Sequence, residues 1–282
     1  MHARANAGGA LMNLTEGHAA NQEAVTEHGG VRPLVALLDQ GDQLAQEWAA
    51  GALQNLGINS DRNKVVIPKV DGIPSLVRAL ASGTATAKES AAGAIRSLAT
   101  NSTNQELLAA AGAIPPLVAA LREESVVTQE HAAGALGSLA ANSANRDAIP
   151  AAGAVARLVE LLMSPCNAVQ ANAAGALRCL ALNSAKNAKQ IVDAKGVAPL
   201  VKLLKVAVAG PDAQANALVA LLNVASASTK QQQSTIHAAG AVPATVPLLS
   251  ASSEELREHA SGLLWNLSSA IPKISTAIDG AK

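Results

Sequence analysis

The sequence contains no phenylalanine and no tyrosine, and only two tryptophans occur among its 282 residues. Hydrophobic residues nevertheless make up 49% of the chain, so the core must consist of leucine, valine, isoleucine and mostly alanine. Such a core is thin and closely packed. The shortage of aromatic residues also leaves no stripe of rings on which the bases of a nucleic acid could stack.

The chain lacks net charge as well, because 21 basic residues balance 21 acidic residues. Electrostatic binding to nucleic acid or to an anionic membrane requires an excess of basic residues. We therefore expect no nucleic-acid partner. The longest uncharged stretches contain proline, glutamine or asparagine, so we expect no insertion into a membrane.

Cysteine is scarce too, with only Cys166 and Cys179 in the chain. The two lie 13 residues apart on one predicted helix. At the helical rise of about 1.5 Å per residue they are roughly 20 Å apart, too far for a disulfide. Reduced cysteines are typical of an intracellular protein. We expect a cytoplasmic location, with the nucleus or another intracellular assembly as alternatives.

What the sequence does contain is the tripeptide Gly-Ala-Leu, or a close variant, at a nearly constant interval. Successive copies begin 42, 42, 41, 41, 44 and 43 residues apart. A period in the low forties matches a helical unit that buries its apolar face only against its neighbours. We name the first residue of each copy the Gly site. The Gly sites are Gly9, Gly51, Gly93, Gly134, Gly175, Val219 and Gly262.

A second apolar marker runs in phase with the Gly sites, beginning with Leu34-Val35. Its apolar residues recur at i, i+1, i+3 and i+4, which predicts a buried helix of about two to three turns. A glycine such as Gly30 ends the preceding helix, and a proline such as Pro33 starts this one. Each unit therefore comprises three helices, short, medium and long. Capping-type asparagines follow the long helix at Asn63, Asn104, Asn145 and Asn187.

This unit reads G-x-I/V-P-x-L-V-x-L-L and then A-A-G-A-L-x-[N/S]-L-A, and it resembles the armadillo repeat of β-catenin, importin-α and plant, fungal and algal armadillo proteins. The resemblance covers nearly the whole chain. It implies an all-α fold, a right-handed α-solenoid (superhelix) of three-helix armadillo repeats in a single array. The predicted boundaries are a partial unit 1–16, repeats 17–58, 59–100, 101–141, 142–182, 183–226 and 227–269, and a partial unit 270–282.

The resemblance also implies a binding groove. In the family the third helices line the concave face and carry an asparagine four residues after a tryptophan. The amide of that asparagine can pair with both the N–H and the C=O of a bound peptide. The alternative is that it only caps or bonds within the repeat. Transferred to this chain, these ladder positions are Asn13, Asn55, Ser97, Ser138, Cys179, Asn223 and Asn266.

The family's groove tryptophan is absent, because its position is the Gly site. We therefore expect a wider and smoother groove without slots for lysine side chains. A glycine inside a helix is costly, so each one must permit a close approach or open space. Charged residues flank the groove, with a solvated surface role as the alternative. They are Glu47, Glu89, Glu130 and Glu258 one turn before the Gly site, and Arg96 and Arg178 just before the ladder position.

No pattern typical of catalysis is present. The sequence has no phosphate-binding loop, no Gly-x-Ser-x-Gly turn and no carboxylate cluster with an acid/base partner. His131 and His259 occupy the same repeat position as Trp48, which favours a packing role over a metal site. We expect no enzyme activity, no metal and no cofactor.

The predicted function is that of a non-catalytic scaffold or adaptor that binds an extended peptide or helix of a partner protein along the concave groove. The alternatives are a structural subunit built permanently into a large multiprotein assembly, or the adaptor part of a larger multidomain protein. The chain opens inside a long predicted helix and closes after a short one, 272–278. We expect either that it is a segment of a longer polypeptide or that partners cover its ends.

Overall fold

The computed structural model describes residues 2–58, 60–205 and 210–268. Within these residues the chain folds into α-helices and one short 3₁₀ helix, and it contains no β-strand. The predicted all-α fold is confirmed. Asn59, the partial unit 270–282 and the short helix predicted at 272–278 lie outside the described residues.

The helices recur in the predicted order of first, second and third helix. The first helices are α2 (Ala19–Glu27), α5 (Asp61–Lys69), α8 (Ser102–Ala110), α11 (Asn145–Ala151), α14 (Ala185–Asp193) and α17 (Lys230–Ala238). The second helices are α3 (Val31–Gln40), α6 (Gly72–Ser82), α9 (Ile114–Ala120), α12 (Ala154–Leu161), α15 (Val197–Leu203) and α18 (Ala241–Thr245), the last continued by the 3₁₀ helix Val246–Ser250. The third helices are α1 (His2–Thr15), α4 (Gln43–Gly57), α7 (Ala85–Leu98), α10 (Val126–Leu139), α13 (Asn167–Ala181), α16 (Pro211–Ala227) and α19 (Glu254–Ser268).

The chain divides into two compact units, Met1–Ala152 and Gly153–Lys282. In the first unit the third helices α1, α4, α7 and α10 lie side by side in that order. In the second unit α16 lies between α13 and α19. The repeat boundaries proposed from the sequence, and their grouping into one array, stay a prediction.

Leucine, isoleucine and alanine form the core, as the composition predicted. The largest fully buried side chains are all leucine or isoleucine, and Leu53 and Ile95 of the third helices are among them. The inward sides of the third helices are completed by alanines such as Ala49, Ala52 and Ala92, each with 0% of its surface exposed. Small side chains let neighbouring helices approach closely, which compensates for the missing aromatic residues.

The capping-type asparagines have a different place from the one predicted. Asn63, Asn104 and Asn187 are buried inside first helices whose N-cap residues lie before them, and Asn145 is the buried first residue of α11. Asn104 donates from Nδ2 to the carbonyl oxygens of Leu98 at 3.1 Å and Lys64 at 2.8 Å. Carbonyls at the end of a helix have no partner within it. These asparagines therefore bond the end of the preceding third helix to the next first helix.

The turn between the first and second helices is also shifted in register in some repeats. Gly112, Gly153 and Gly240 have positive φ angles of 76°, 85° and 83°, as expected for a residue that ends a helix. In two other repeats the left-handed residue is Asp71 or Lys195, one position before the predicted glycine.

Candidate functional site

The third helices of each unit expose one side on which the predicted groove residues lie together. In the unit Met1–Ala152 the ladder position Asn13 is exposed, and Asn55, Ser97 and Ser138 are half-buried. In the unit Gly153–Lys282 the ladder positions Cys179, Asn223 and Asn266 are half-buried. The face built by the third helices within each unit is a candidate site, and we name it the ladder face of that unit.

Two ladder asparagines make the same contact with the preceding third helix. Asn55 donates from Nδ2 to the carbonyl oxygen of Met12 at 3.0 Å, and Asn223 donates from Nδ2 to the carbonyl oxygen of Arg178 at 3.0 Å. Met12 and Arg178 are equivalent, because each directly precedes a ladder position. Nδ2 of Asn55 also contacts the hydroxyl oxygen of Thr15 at 3.5 Å. At least one amide hydrogen of each asparagine is therefore used within the repeat array, as the alternative interpretation of the sequence proposed.

The remaining polar atoms of these two amides are available to a ligand. Among the described residues the Oδ1 atom of Asn55 and that of Asn223 have no hydrogen-bond partner, although both side chains are only half-buried. An amide has two donor hydrogens and one acceptor oxygen. Asn223 is thus held in place by one bond and still presents a donor and an acceptor, whereas Asn55 is held by two contacts from Nδ2 and still presents the acceptor Oδ1.

Two of the predicted groove glutamates bind the cap of the next third helix. Glu47 accepts a hydrogen bond from the hydroxyl of Thr84 at 2.5 Å, and Glu89 accepts one from the hydroxyl of Ser125 at 2.5 Å. Thr84 and Ser125 are the N-cap residues of α7 and α10, and their hydroxyls in turn accept backbone N–H groups. These glutamates therefore fix the position of the following third helix.

The other predicted charges differ in their surroundings. Arg96 and Glu130 form an ion pair at 2.8 Å between α7 and α10. Arg178 is half-buried and Glu258 is exposed. The ladder face of the unit Met1–Ala152 therefore carries charges that are mostly paired within the protein.

A side chain of a neighbouring third helix packs on five of the Gly sites, namely Gly9, Gly51, Gly93, Gly175 and Gly262. The indole ring of Trp48 covers Gly9, where an added Cβ would lie 3.0 Å from Cδ2 of the ring. At Gly93 an added Cβ would collide with Gln54 Nε2 and would lie 2.9 Å from His131 Cε1. The prediction that these glycines permit a close approach is confirmed. The expectation of a wider, smoother groove is wrong at these sites, because neighbouring side chains occupy the space.

The packing role predicted for His131 is confirmed. Its Nδ1 lies 3.3 Å from the carbonyl oxygen of Glu89, a contact that the Nδ1–H tautomer satisfies as donor. Burial lowers the pKa of His131 below its usual value of 6.5, and the nearby Arg96 lowers it further, while the bond to Glu89 opposes the shift. No group of three metal-ligating side chains occurs in the described part of the chain.

Sequence reasoning missed Trp265, which is 74% exposed and is the neighbour of the ladder residue Asn266. It occupies the position that is Arg96 and Arg178 in other repeats. This equivalence was the signal that could have placed it on the ladder face. Its exposure could not be read from the sequence, since Leu222 at the same position is half-buried against Gly262.

Comparison with known proteins decides the family. The model of the armadillo/beta-catenin-like repeat matches residues 18–57, 101–141, 142–181, 184–226 and 229–269. The chain belongs to the armadillo-repeat family. No curated protein sequence matches it. None of the helices in the described ranges is both long enough and apolar enough to cross a membrane.

Solved structures similar to this armadillo chain include several designed proteins. An engineered protein shares 32% sequence identity with a TM-score of 0.79, over 86% of this chain and 98% of that one. A computationally designed armadillo repeat protein for modular peptide recognition shares 27% identity with a TM-score of 0.77, over 84% and 99%. A designed armadillo repeat protein in complex with the peptide (KR)4 shares 26% identity with a TM-score of 0.73, over 84% and 99%. The armadillo solenoid predicted from the sequence is confirmed.

Proposed function

We propose that this armadillo protein is a non-catalytic scaffold that binds an extended segment of a partner protein along its ladder face. The observation that carries the proposal is the hydrogen bonding of the Asn55 and Asn223 side chains. Asn223 is fixed by one hydrogen bond from Nδ2 and keeps Oδ1 and a second amide hydrogen for a ligand, whereas Asn55 is fixed by two contacts from Nδ2 and keeps Oδ1. A fixed amide loses little conformational entropy when it binds, so its hydrogen bonds contribute more to affinity.

An extended peptide suits this arrangement better than a helix does. In an extended chain the N–H and C=O groups of every residue point away from the backbone and are free to bond, whereas a helix uses them internally. Packed helices are spaced about 8–10 Å apart, a distance that an extended chain covers in about two to three residues. Successive ladder positions can therefore meet successive peptide units of one ligand.

Two further observations support the proposal. The similar solved structures include a design for modular peptide recognition and a design in complex with the peptide (KR)4. Cys166 and Cys179 are both free thiols, which is consistent with function in the cytoplasm.

Ligands for the test can be obtained by display selection of peptides of about 12 residues, enough for an extended chain to span several repeats. We expect Asn223→Ala to weaken a selected peptide by about 1 to 3 kcal/mol, because two hydrogen bonds of about 0.5–1.5 kcal/mol each are lost. Asn55→Ala should weaken peptides that contact the unit Met1–Ala152 by about 0.5–1.5 kcal/mol, because Oδ1 is the group that Asn55 keeps for a ligand. Ser138→Ala should have little effect, since a hydroxyl cannot replace the paired groups of an amide.

Asn216→Ala is the matched control. Asn216 also donates from Nδ2 to a carbonyl of α13, that of Ala171 at 3.1 Å, but it lies at the position that covers a Gly site. Both variants lose one bond between α13 and α16, so a purely structural effect would weaken peptide binding equally in both. Equal losses of peptide affinity, or no loss in either variant, would contradict the scaffold proposal. They would favour the alternative, a structural subunit built permanently into an assembly.

A further inference from the structure

An ion pair links two neighbouring third helices at a fixed repeat position. Arg96 of α7 donates to a carboxylate oxygen of Glu130 of α10 at 2.8 Å. Arg96 lies three residues after the Gly site of its helix, and Glu130 lies four residues before the Gly site of the next third helix. The carboxylate of the later helix therefore neutralises the guanidinium of the earlier one.

The same positions hold an arginine without its carboxylate in the unit Gly153–Lys282. Arg178 of α13 lies three residues after Gly175, but the residue four before Val219 in α16 is Ala215. An alanine side chain ends at Cβ and accepts no hydrogen bond. The guanidinium of Arg178 has no hydrogen-bond or ion-pair partner among the described residues, although Arg178 is half-buried. An anion that reached it would therefore be bound favourably.

No other acidic residue of these two helices takes the place of Glu130. α13 contains no aspartate or glutamate, and the acidic residue of α16 is Asp212, in its first turn. Because Asn223 of α16 bonds to the carbonyl of Arg178, the two residues lie side by side. Asp212 precedes Asn223 by eleven residues, which is about 16 Å along the helix. The guanidinium of Arg178 is thus left for a carboxylate from another molecule.

The unit that contains Arg178 also carries an excess of positive charge. Gly153–Lys282 contains 11 lysine or arginine residues and 7 aspartate or glutamate residues, whereas Met1–Ala152 contains 10 and 14. The neutral composition of the whole chain therefore conceals an opposite imbalance in the two units. A positive field raises the local concentration of anionic groups and speeds their association.

The backbone contact proposed for Asn223 brings a ligand close to Arg178. Nδ2 of Asn223 donates to the carbonyl oxygen of Arg178 at 3.0 Å, so a peptide bonded to Oδ1 of Asn223 lies beside Arg178. Consecutive residues of an extended chain are about 3.3–3.6 Å apart. A side chain within one or two residues of that contact is consequently in reach of the guanidinium.

We propose that Arg178 determines the specificity of the ladder face in the unit Gly153–Lys282 by binding an aspartate or glutamate side chain of the bound segment. This inference rests on the scaffold function proposed above. The ligand carboxylate takes the part that Glu130 has beside Arg96, and the planar guanidinium matches its two oxygens with paired N–H donors. Asn223 holds the backbone of the same segment, which fixes where along the ligand the acidic residue must lie.

Display selection on the unaltered protein and on Arg178→Gln tests this preference. Glutamine removes the charge but keeps a polar side chain of good helix propensity, so the fold should persist. Peptides selected on the unaltered protein should carry aspartate or glutamate within two residues of the amide that contacts Asn223. Peptides selected on Arg178→Gln should lose that preference and still lose affinity when Asn223→Ala is added.

Lys202→Gln is the matched control. It removes one positive charge from the same unit, but Lys202 is exposed on the second helix α15 and lies outside the ladder face. Exchanging the acidic residue of a selected peptide for its amide should lower affinity about 3- to 10-fold for the unaltered protein and for Lys202→Gln. The same exchange should have little effect with Arg178→Gln.

A second variant restores the missing carboxylate within the protein. Ala215→Glu places a glutamate where α10 has Glu130, at a half-buried position on a helix. The internal carboxylate should compete for Arg178, so acidic peptides should bind Ala215→Glu about 3- to 10-fold more weakly than they bind Ala215→Gln. The amide analogues of these peptides should bind the two variants equally.

Three results would overturn the role of Arg178. They are selected peptides without an acidic preference, an acid-to-amide exchange that costs as much with Arg178→Gln as with the unaltered protein, and an equal change with Lys202→Gln. If such peptides still lose affinity with Asn223→Ala, only the specificity inference fails. If Asn223→Ala has no effect on any selected peptide, the scaffold function fails and the role of Arg178 fails with it.

Discussion

The imidazole of His131 lies directly against Gly93, so that a Cβ on this glycine would come within 2.9 Å of the ring atom Cε1. Trp48 stands in the same relationship to Gly9. A glycine inside a helix costs about 0.5–1 kcal/mol relative to alanine. The contact across the repeat interface offsets this cost, because it lets a side chain of the next third helix pack onto the backbone.

Alanine substitution should therefore have opposite effects at two Gly sites. We expect Gly93→Ala to lower the free energy of unfolding by about 1–3 kcal/mol, since its Cβ overpacks against Gln54 and His131. We expect Gly262→Ala to raise it by about 0.5–1 kcal/mol, since Leu222 lies at an ordinary contact distance of 3.4 Å. Urea unfolding followed by circular dichroism measures both. If both substitutions changed the free energy of unfolding in the same direction, these contacts would not be what requires glycine at the two sites.

Stability should depend on pH through His131. Its pKa is lowered in the folded protein from 6.5, chiefly by burial, so the unfolded chain binds the proton more readily. This contribution to stability is fully present above about pH 6.5 and is lost as the pH falls from there toward the lowered folded pKa. The carboxylates of Glu89 and Glu130 and the guanidinium of Arg96 are the charged groups that act on the ring.

His131→Gln should remove this part of the pH dependence, whereas His28→Gln should retain it, because His28 is exposed. Thermal unfolding midpoints at pH 7.5 and pH 5.5 give the comparison. An unchanged difference between these midpoints in His131→Gln would show that another group is responsible.

Loss of a buried asparagine should cost more than loss of a helix cap. Asn104→Ala leaves the buried carbonyl of Leu98 and the partly buried carbonyl of Lys64 without this donor, and we expect it to destabilise the protein by about 2–3 kcal/mol. Asn101→Ala removes only the N-cap of the same helix, which is worth about 1 kcal/mol. Chemical unfolding of both variants measures the two losses. Equal losses would mean that Asn104 acts only as a capping residue.

The sequence predicted the three-helix unit because apolar periodicity and the recurring Gly site record which side of each helix is buried. It did not predict the partners of Glu47 and Glu89. Thr84 follows Glu47 by 37 residues, less than one repeat, and the contact depends on how far one third helix is displaced along the next. The sequence does not show this displacement, even though the contact recurs one repeat later between Glu89 and Ser125.

The turn register was missed for another reason. Glycine is the residue best suited to a positive φ angle, so the sequence pattern placed each helix end at a glycine. Asp71 and Lys195 adopt that conformation at the positions before Gly72 and Gly196. Those two glycines are required instead for close contact, since a Cβ on Gly72 would lie 2.7 Å from the carbonyl oxygen of Ile67.

The resemblance to the armadillo repeat identified the ladder residues, but it did not predict which of their side-chain atoms are hydrogen-bonded. Residue type showed that Asn55 and Asn223 carry an amide, whereas only the structure shows that one hydrogen is bound to the preceding repeat. The two interpretations of these asparagines, peptide binding and bonding within the repeat, are therefore compatible, because they use different atoms of the same side chain.

The decisive measurement is a double-mutant cycle between Asn223 and the backbone of a selected peptide. Each amide of the peptide is replaced in turn by an ester, which removes one N–H donor, and affinities are measured for the unaltered protein and for Asn223→Ala. If Oδ1 of Asn223 accepts a peptide N–H, one ester position should show a coupling energy of about 0.5–1.5 kcal/mol with Asn223→Ala. Strictly additive effects at every position of every selected peptide would contradict binding along the ladder face.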